Sequence, residues 1–347
     1  MPLVADCFGD DDTLALAHAH VHVHLDAKRG LHAGQLLQAL PQLAAVHDPI
    51  GLVYGTGFED RPNLLAHVAA TWRLLGNPAN VLAHLKNPES LAELCRECEI
   101  PHPQIAFECP VERKRWVVKR AGGAGGAHVH GPAARRARSG SYYQLRVTGM
   151  PVSALVLGNG HGAIVLGFSE QWSSPARGRP FRYGGAARPA ALPNSLGLPQ
   201  AIARIASHTP ILGLNSFDFL IDRDASWLLE INPRPAATLD IFEPENDSLF
   251  ALHVAACEGM LPRKPPKLSD AAAACIVYAD RDVPSVPEIT WPAWAADRQP
   301  AGTSLRSGDP FCTVLARASA LAEAKSLVKE RAATILALLD ARLHGEE

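Results

Sequence analysis

Leu229-Glu230-Ile231-Asn232-Pro233-Arg234 is the stretch of this sequence that most restricts its fold. Glu230 and Asn232 are two residues apart, so on a strand both side chains project from the same face. The neighbouring residues are apolar, and a carboxylate buried among apolar side chains needs a cation. Pro233 ends the strand. Arg234 then lies just beyond it, where a guanidinium can hold a phosphoryl group or a carboxylate.

A second carboxylate falls on the preceding predicted strand. Residues 213–221 and 226–231 are predicted as two antiparallel strands joined by a short turn. Asp218 on the first strand can then face Glu230 and Asn232 on the second. Two carboxylates and an amide suit Mg²⁺, which takes few protein ligands and keeps the rest for substrate and water. Asp218, Glu230 and Asn232 are the candidate ligands of Mg²⁺ or Mn²⁺; the alternative is a solvated sheet face.

A lysine followed by glycines lies about a hundred positions upstream of this hairpin. Lys119 is predicted at the end of a strand over 116–119. Four glycines follow it: Gly122, Gly123, Gly125 and Gly126. Glycine lets backbone N–H groups close over phosphate oxygens without a Cβ in the way, and Lys119 adds a positive charge. A polyphosphate site is one interpretation and a plain glycine turn is the other; the spacing is neither a P-loop nor a Rossmann motif.

The first 80 residues predict an α/β opening. Strands at 3–6 and 49–55 with a helix over 31–43 between them give a βαβ unit. The acidic run 10–12 comes so early that a first β–α unit is expected to be missing. His18, His20, His22 and His24 would share one face of a strand and suggest zinc, but the stretch 18–28 is predicted as a continuing helix instead.

The remaining segments predict helices, an antiparallel meander and a small C-terminal module. A helix is predicted over 88–98, where Asn87-Pro88 supplies the start. Residues 142–147, 153–157 and 163–168 are predicted as successive strands of one meander, and 175–193 as a loop. The run 263–267 is predicted to be a linker.

The composition excludes several classes of protein. The chain has 347 residues, of which 47% are hydrophobic and 20% charged, with a net charge of −2. These values favour a globular protein with small-molecule partners and leave no basic field for nucleic acid or an anionic membrane. No apolar run approaches the roughly 20 residues that span a bilayer. Seven scattered cysteines and no signal peptide predict a cytoplasmic protein.

The order of these parts, a lysine strand, a glycine loop, an antiparallel sheet and then Asp with Glu-x-Asn-x-Arg, resembles the ATP-grasp superfamily over roughly residues 80–262. It is most similar to a branch of carboxylate–amine ligases related to biotin carboxylase, with members linked to tetrahydromethanopterin and methylofuran one-carbon metabolism. The resemblance implies an α/β and α+β protein in which two α+β subdomains clamp ATP. It also implies three segments: a truncated Rossmann-like domain at 1–80, the ATP-grasp domain at 81–262 and a C-terminal cap at 268–347.

The resemblance also assigns roles to residues. Lys86 and Lys119 look like the two lysines that bind the nucleotide, under a mobile loop of the four glycines. The segment matching the adenine hinge is Gln144, Leu145 and Arg146, where the family usually has a glutamate. Asp218, Glu230 and Asn232 look like the Mg²⁺ ligands. Arg234 looks like the catalytic clamp on a phosphate or acyl phosphate, acting together with Lys119.

The implied activity is ATP-dependent ligation of a carboxylate to an amine through an acyl phosphate. The resemblance places it in the biosynthesis of a one-carbon carrier, with a glutamate-type substrate, and it allows a homodimer. The alternative hypothesis is an ATP-binding regulatory protein that keeps the fold without turnover. The altered hinge and the short N-terminal domain favour that alternative.

Overall fold

The computed structural model describes residues 1–26, 30–131, 139–193, 196–223 and 225–344. The strands are β1 (Leu3–Asp6), β2 (Ala19–His22), β3 (Leu25–Asp26), β4 (Gly30–Leu31), β5 (Ile105–Ala106), β6 (Trp116–Arg120), β7 (Val129–His130), β8 (Ser141–Leu145), β9 (Met150–Asn159), β10 (Ala163–Ser173), β11 (Tyr183–Arg188), β12 (Leu212–Asp222), β13 (Ala225–Asn232), β14 (Ala271–Tyr278), β15 (Ala295–Ala296) and β16 (Pro310–Ala318). The helices are α1 (Asp11–Leu16), α2 (Ala33–Val46), α3 (Pro62–Ala69), α4 (Ala79–Lys86), α5 (Pro88–Glu97), α6 (Leu198–His208), α7 (Leu239–Phe242), α8 (Leu249–Cys257) and α9 (Leu321–His344). None of these helices, as far as they are described, combines the length and the apolar character that a bilayer crossing requires.

The chain divides into two compact units. The central unit is residues 51–269, and the terminal unit combines residues 1–50 with residues 270–347. These boundaries differ from the three predicted segments, which remain a prediction about how the chain is organised in evolution and function.

The larger sheet of the central unit is antiparallel, in the order β13-β12-β9-β10-β11. On β12, Phe217 and Phe219 point into a core that α4, α5 and α6 cover, and both side chains are fully buried. Each contributes roughly 1.5–3 kcal/mol by leaving water. Because side chains alternate along a strand, Asp218 between them points to the opposite face. The apolar packing of one face therefore fixes which polar residues meet on the other.

The second sheet of the central unit has the order β5-β8-β6-β7 and is also antiparallel. Its strand β8 contains residues 142–145, which were predicted to begin a meander with β9 and β10. That prediction was wrong, because β8 pairs with β6 and carries Tyr143 into a small cluster with Trp116 and Val118. The prediction of β6 itself was confirmed.

One predicted loop contains a strand. Residues 183–188 form β11, which pairs with β10 as the last strand of the larger sheet within the central unit. The segment is Tyr-Gly-Gly-Ala-Ala-Arg, so it lacks the β-branched side chains on which a strand prediction depends. Its small residues instead suit a strand that is buried on both faces.

The terminal unit opens with β1 and β2, which pair in parallel across α1. The partner of β1 was predicted at residues 49–55, and this was wrong, because that segment makes only an isolated bridge between Leu52 and Leu74. The histidine stretch was also misread as a helix. Ala19–His22 is a strand, and His20 on it bonds Asp6 at 2.8 Å. The later part of this unit has the antiparallel order β14-β16-β15, followed by α9.

Candidate active site

Asp218, Glu230 and Asn232 meet on the face of the larger sheet that points away from its core. Asp218 lies directly opposite Glu230 in the β12–β13 register, and Asn232 lies opposite Ser216. The predicted facing of the two carboxylates is therefore confirmed as geometry. Ser153 on β9 joins them from the other side of Asp218 and donates to its Oδ1 at 2.7 Å. Sequence reasoning missed Ser153, although its position on the next strand with the same alternation is a usable signal.

The Asn232 amide lies between the carboxylates and a lysine. Its Nδ2 donates to Asp218 Oδ2 at 3.0 Å and to Glu230 Oε1 at 3.3 Å. Its Oδ1 accepts from Lys86 Nζ at 2.6 Å. The amide N–H groups thus bridge the two carboxyl groups, which also hydrogen-bond each other. Ligation of a cation by Asn232 requires the amide to turn by half a revolution, so that its oxygen joins the carboxylates.

The two carboxyl groups on this face have pKa values far from their ordinary ones, in opposite directions. Burial, together with the neighbouring Glu230 charge, raises the pKa of Asp218 to about 7. Burial acts in the same direction on Glu230, but the charges of Lys86, Lys119 and His128 hold its pKa well below its usual range. Asp218 and Glu230 are half-buried, and Asp218 holds its proton up to about pH 7. A divalent cation between them would relieve the repulsion of the two charges.

The donor set fits Mg²⁺ in type and number. No group of three His, Cys, Asp or Glu side chains suited to a metal occurs within the described ranges. Asp218 and Glu230 offer two carboxylates. The Asn232 amide offers a third oxygen only after it turns away from Lys86. Mg²⁺ commonly uses one or two carboxylates and leaves its other positions to substrate phosphates and water.

Arg234 follows this face on the turn after β13 and forms a buried ion pair with Glu59. Its Nε donates to Glu59 Oε1 at 2.5 Å, and the Gly57 N–H donates to Glu59 Oε2 at 2.6 Å. Burial would raise the pKa of Glu59, but the Arg234 guanidinium lowers it below its ordinary value. Glu59 was not predicted as a site residue, because its partner lies 175 positions away.

The turn that carries Arg234 is held by Asn77. The Asn77 side chain is fully buried, and its Nδ2 donates to the Pro233 carbonyl at 3.0 Å. The Tyr54 hydroxyl donates to the same carbonyl at 3.1 Å. β13 ends at Asn232, and these two side chains supply the donors for the Pro233 carbonyl beyond the strand. Arg234 is therefore placed by hydrogen bonds from a distant part of the central unit.

Lys119 approaches the same carboxylates from the second sheet. Its Nζ lies 4.0 Å from Glu230 Oε2, and its side chain is buried. Burial alone would lower its pKa, but Tyr142, Glu230 and Asp218 raise the pKa above its usual value. Tyr142 also hydrogen-bonds the ammonium from the opposite position on β8. Lys119 stays charged in a dry place, as an electrostatic role requires.

Two glycines of the loop pack closely against the backbone of other segments, and a third has open space around it. A Cβ at Gly122 would lie 2.6 Å from the Glu59 carbonyl oxygen, and one at Gly126 would lie 1.8 Å from the Phe181 carbonyl oxygen. Gly125 has open space around it. Gly122, Gly125 and Gly126 have φ values of +69°, +64° and +70°. Glycine is required here for the path of the loop, which was not the reason given from sequence.

In the predicted adenine hinge, the backbone N–H groups already have partners, whereas, among the described residues, a side chain offers a free donor. The N–H of Leu145 donates to the Gln104 carbonyl and that of Arg146 to the Arg115 carbonyl, at 2.8 and 2.7 Å. The Leu145 side chain packs away from the site with Trp116. Gln144 shares the face of Lys119, because the register places it opposite Val117, two residues before Lys119. The buried Nε2 of Gln144 has no hydrogen-bond partner within the described structure, so it is a donor available to a ligand.

Two imidazoles lie within reach of the Lys119 charge. His128 ends the glycine loop, and burial lowers its pKa to about 4. His102 precedes β5, and burial together with Lys119 lowers its pKa to about 4 as well. Both rings are therefore neutral near pH 7. Sequence reasoning assigned neither to the site.

Residues 88–238 match the family model described as "ATP-grasp domain". The match contains Lys119, the glycine loop and the Asp218–Glu230–Asn232 face, in the order that the structure shows. The chain has an ATP-grasp fold. None of the curated proteins matches the sequence.

Solved structures share this ATP-grasp fold over nearly the whole chain. Biotin carboxylase from Campylobacter jejuni has a TM-score of 0.70 at 15% identity, covering 93% of this chain and 83% of that one. The biotin carboxylase domain dimer of Hydrogenobacter thermophilus 2-oxoglutarate carboxylase, solved with MgADP and bicarbonate, has a TM-score of 0.70 at 11% identity, covering 91% and 81%. N5-carboxyaminoimidazole synthetase from Staphylococcus aureus, complexed with ADP, has a TM-score of 0.66 at 13% identity, covering 95% and 90%. The predicted fold and its likeness to biotin carboxylase are confirmed.

Proposed function

We propose that this chain is an ATP-dependent ligase that activates a carboxylate and joins it to an amine. The observation that carries the proposal is the half-buried face on which Asp218, Glu230 and Asn232 meet Lys86 and Lys119. Two carboxylates next to two ammonium groups provide for a divalent cation and for polyphosphate oxygens in one place. The ADP and MgADP complexes of proteins with the same fold support the choice of nucleotide.

Each group has a proposed task. Asp218, Glu230 and Asn232 hold Mg²⁺ or Mn²⁺, which when bound neutralises charge on the phosphates. Lys86 and Lys119 hold phosphate oxygens, with the four-glycine loop above them. The Gln144 side chain receives the adenine, together with the backbone of 145–146, whose N–H groups first have to release the Gln104 and Arg115 carbonyls.

The proposed reaction has two steps. The substrate carboxylate attacks the γ-phosphorus of ATP, and the bond between this phosphorus and the β-phosphate oxygen breaks. ADP departs, and the substrate is now an acyl phosphate. The amine then attacks the acyl carbon, forming a C–N bond and releasing phosphate and a proton. Lys119 and Arg234 act by charge, since phosphoryl transfer gains most from positioning and electrostatic stabilisation.

The finer assignment rests on resemblance in sequence. We propose a glutamate-type substrate and a product on the route to a one-carbon carrier such as tetrahydromethanopterin or methylofuran. We further propose a cytoplasmic enzyme with small-molecule partners, without nucleic acid or membrane partners, which forms a homodimer. The bicarbonate in the Hydrogenobacter structure makes bicarbonate a second carboxylate worth testing.

A second candidate is an ATP-binding regulatory protein without turnover. Two observations favour it: Glu59 already neutralises Arg234, and the N–H groups of Leu145 and Arg146 already have carbonyl partners. A protein of this kind would bind MgATP without releasing phosphate in response to any substrate.

Phosphate release from MgATP tests the two candidates. The full chain is incubated with a panel that crosses carboxylates, including glutamate and bicarbonate, with amines, including ammonia and amino acids. Melting curves with and without MgATP are recorded in parallel. We expect MgATP to raise the Tm, and one carboxylate–amine pair to give phosphate and a product with a new amide.

The outcomes separate the candidates. A rise in Tm without substrate-dependent phosphate release favours the regulatory protein. Phosphate release with bicarbonate and an amine, but with no other carboxylate, replaces the amide ligase by a carboxylase. An unchanged Tm with MgATP overturns the nucleotide proposal altogether.

A further inference from the structure

The His128 imidazole packs against Gly123 and Ala124 of the glycine loop. A Cβ at Gly123 would lie 2.1 Å from Cγ of this ring, so the absence of a side chain at 123 is what gives the ring its place. His128 Nδ1 lies 3.3 Å from the Ala124 carbonyl oxygen, which can only accept, so Nδ1 donates. Nε2 is then the ring nitrogen that is left for another partner.

The surroundings of the ring are those of the candidate phosphate site. His128 directly precedes Val129, which pairs with Lys119 across β6 and β7. The charges that act on the ring belong to Glu230, Lys119 and Lys86. These are one of the two proposed metal-binding carboxylates and both proposed nucleotide lysines. A phosphate chain held by the two lysines and by a cation on Glu230 passes next to this imidazole.

We propose that His128 is a phosphate-binding residue, whose Nε2 binds an oxygen of the β- or γ-phosphate of the nucleotide. The proposal rests on the proposed function, because it needs MgATP in this place. A phosphate oxygen only accepts, so Nε2 must carry a proton in the complex. The free ring is neutral near pH 7, so it takes up a proton on binding, and the negative charge of the phosphates favours this uptake. The glycine loop then contributes a side chain to the phosphates in addition to its backbone.

His130 provides a matched control two residues along. It lies on β7 opposite Val118, whose side chain packs in the cluster on the far face of the sheet, and it is exposed. His130→Ala therefore removes an imidazole from the same segment without touching the lysines or Glu230.

Binding of MgATP, MgADP and AMP to the full chain, measured by calorimetry, tests the proposal. His128→Ala should weaken MgATP and MgADP about tenfold, which corresponds to about 1.4 kcal/mol. AMP should lose little, because it lacks both phosphates. His128→Gln, which keeps a donor on a side chain of similar length, should recover part of the affinity, and His130→Ala should bind like the wild type.

The failures are distinguishable. If the wild-type chain does not bind MgATP, the proposed function falls and this inference falls with it. If the wild type binds and His128→Ala binds as well or more tightly, only the inference is overturned, and a tighter complex identifies the ring as an obstacle. A loss that is equal for MgATP and AMP overturns it too, since that loss would come from the loop as a whole. Melting curves of the free variants check that each is folded.

Discussion

The two sheets of the central unit contribute to the site in opposite ways. On β12 and β13, Asp218, Asn232 and Arg234 are all tied by short hydrogen bonds to side chains from other parts of the unit. On β6 and β8, Gln144 keeps an unpartnered buried donor, and the following loop depends on glycines with positive φ. The hydrogen bonds of the first face are formed without a ligand, although its two carboxylates still repel each other. The second carries a cost that a bound nucleotide can offset, since a buried unmade hydrogen bond costs about 1–3 kcal/mol.

Glu230→Gln is expected to have the largest effect on the face formed by β12 and β13. It keeps the shape of the side chain and removes the charge, so we expect turnover to fall by about 10³-fold or more. The Tm of the free protein should fall, because the lost attraction to Lys86 and Lys119 outweighs the lost repulsion with Asp218. Phosphate release and melting curves measure the two effects. Glu93→Gln, which changes an exposed carboxylate, is the control, and equal activity of both variants would remove Glu230 from the site.

Glu59→Ala tests whether the first face is held from outside the matched domain. It leaves the Arg234 guanidinium buried without its partner, so we expect a loss of about 3–5 kcal/mol in the free energy of unfolding. Glu93→Ala removes one partner of the exposed pair with Arg96 and should cost at most about 1 kcal/mol. Urea unfolding gives both values. Similar losses for the two variants would mean that the Glu59–Arg234 pair is not a structural tie.

Two glycine substitutions sharpen the description of the second face. Gly126→Ala meets the Phe181 carbonyl and requires positive φ, so we expect a loss of about 3 kcal/mol. Gly125→Ala has open space and should cost only the left-handed backbone term, about 1 kcal/mol. Urea unfolding of the free proteins compares them. A greater loss for Gly125→Ala would show that the loop path differs from the one described.

Gln144→Leu has the smallest expected effect and the opposite sign. Removing the unpartnered Nε2 should stabilise the free protein by about 1 kcal/mol. The same change should reduce the rise in Tm that MgATP produces, because the donor for the nucleotide is gone. A variant less stable than the wild type in the absence of nucleotide would contradict the idea that this donor lacks a partner.

The parts of the site that could be predicted depend on short-range periodicity. The sequence predicted that Asp218, Glu230 and Asn232 share a face. A short turn between two strands fixes their register, and the alternation of side chains then fixes which residues face each other. Lys119 and its glycines were found because they follow one another in the chain. In both places the information lies within about 20 residues of sequence.

The parts that could not be predicted depend on pairing between distant residues. Glu59 meets Arg234 across 175 positions, and β8 pairs back to β6 instead of forward to β9. β11 was not predicted, because a buried strand of glycine and alanine resembles a loop in composition. The histidine stretch was ambiguous because four alternating residues are too few to separate a strand from a helix.

The division of the chain into units has a consequence for its synthesis. Residues 1–50 emerge first, but the rest of their unit begins only at residue 270. At about 5–20 residues per second, the intervening 219 residues take roughly 10–45 s to translate. During that time β1 and β2, which pair only with each other in the described structure, have only their own segment to pack against, and a two-stranded sheet is marginally stable alone. The central unit, which is continuous in sequence, can fold on the ribosome while the first segment still waits for its partner.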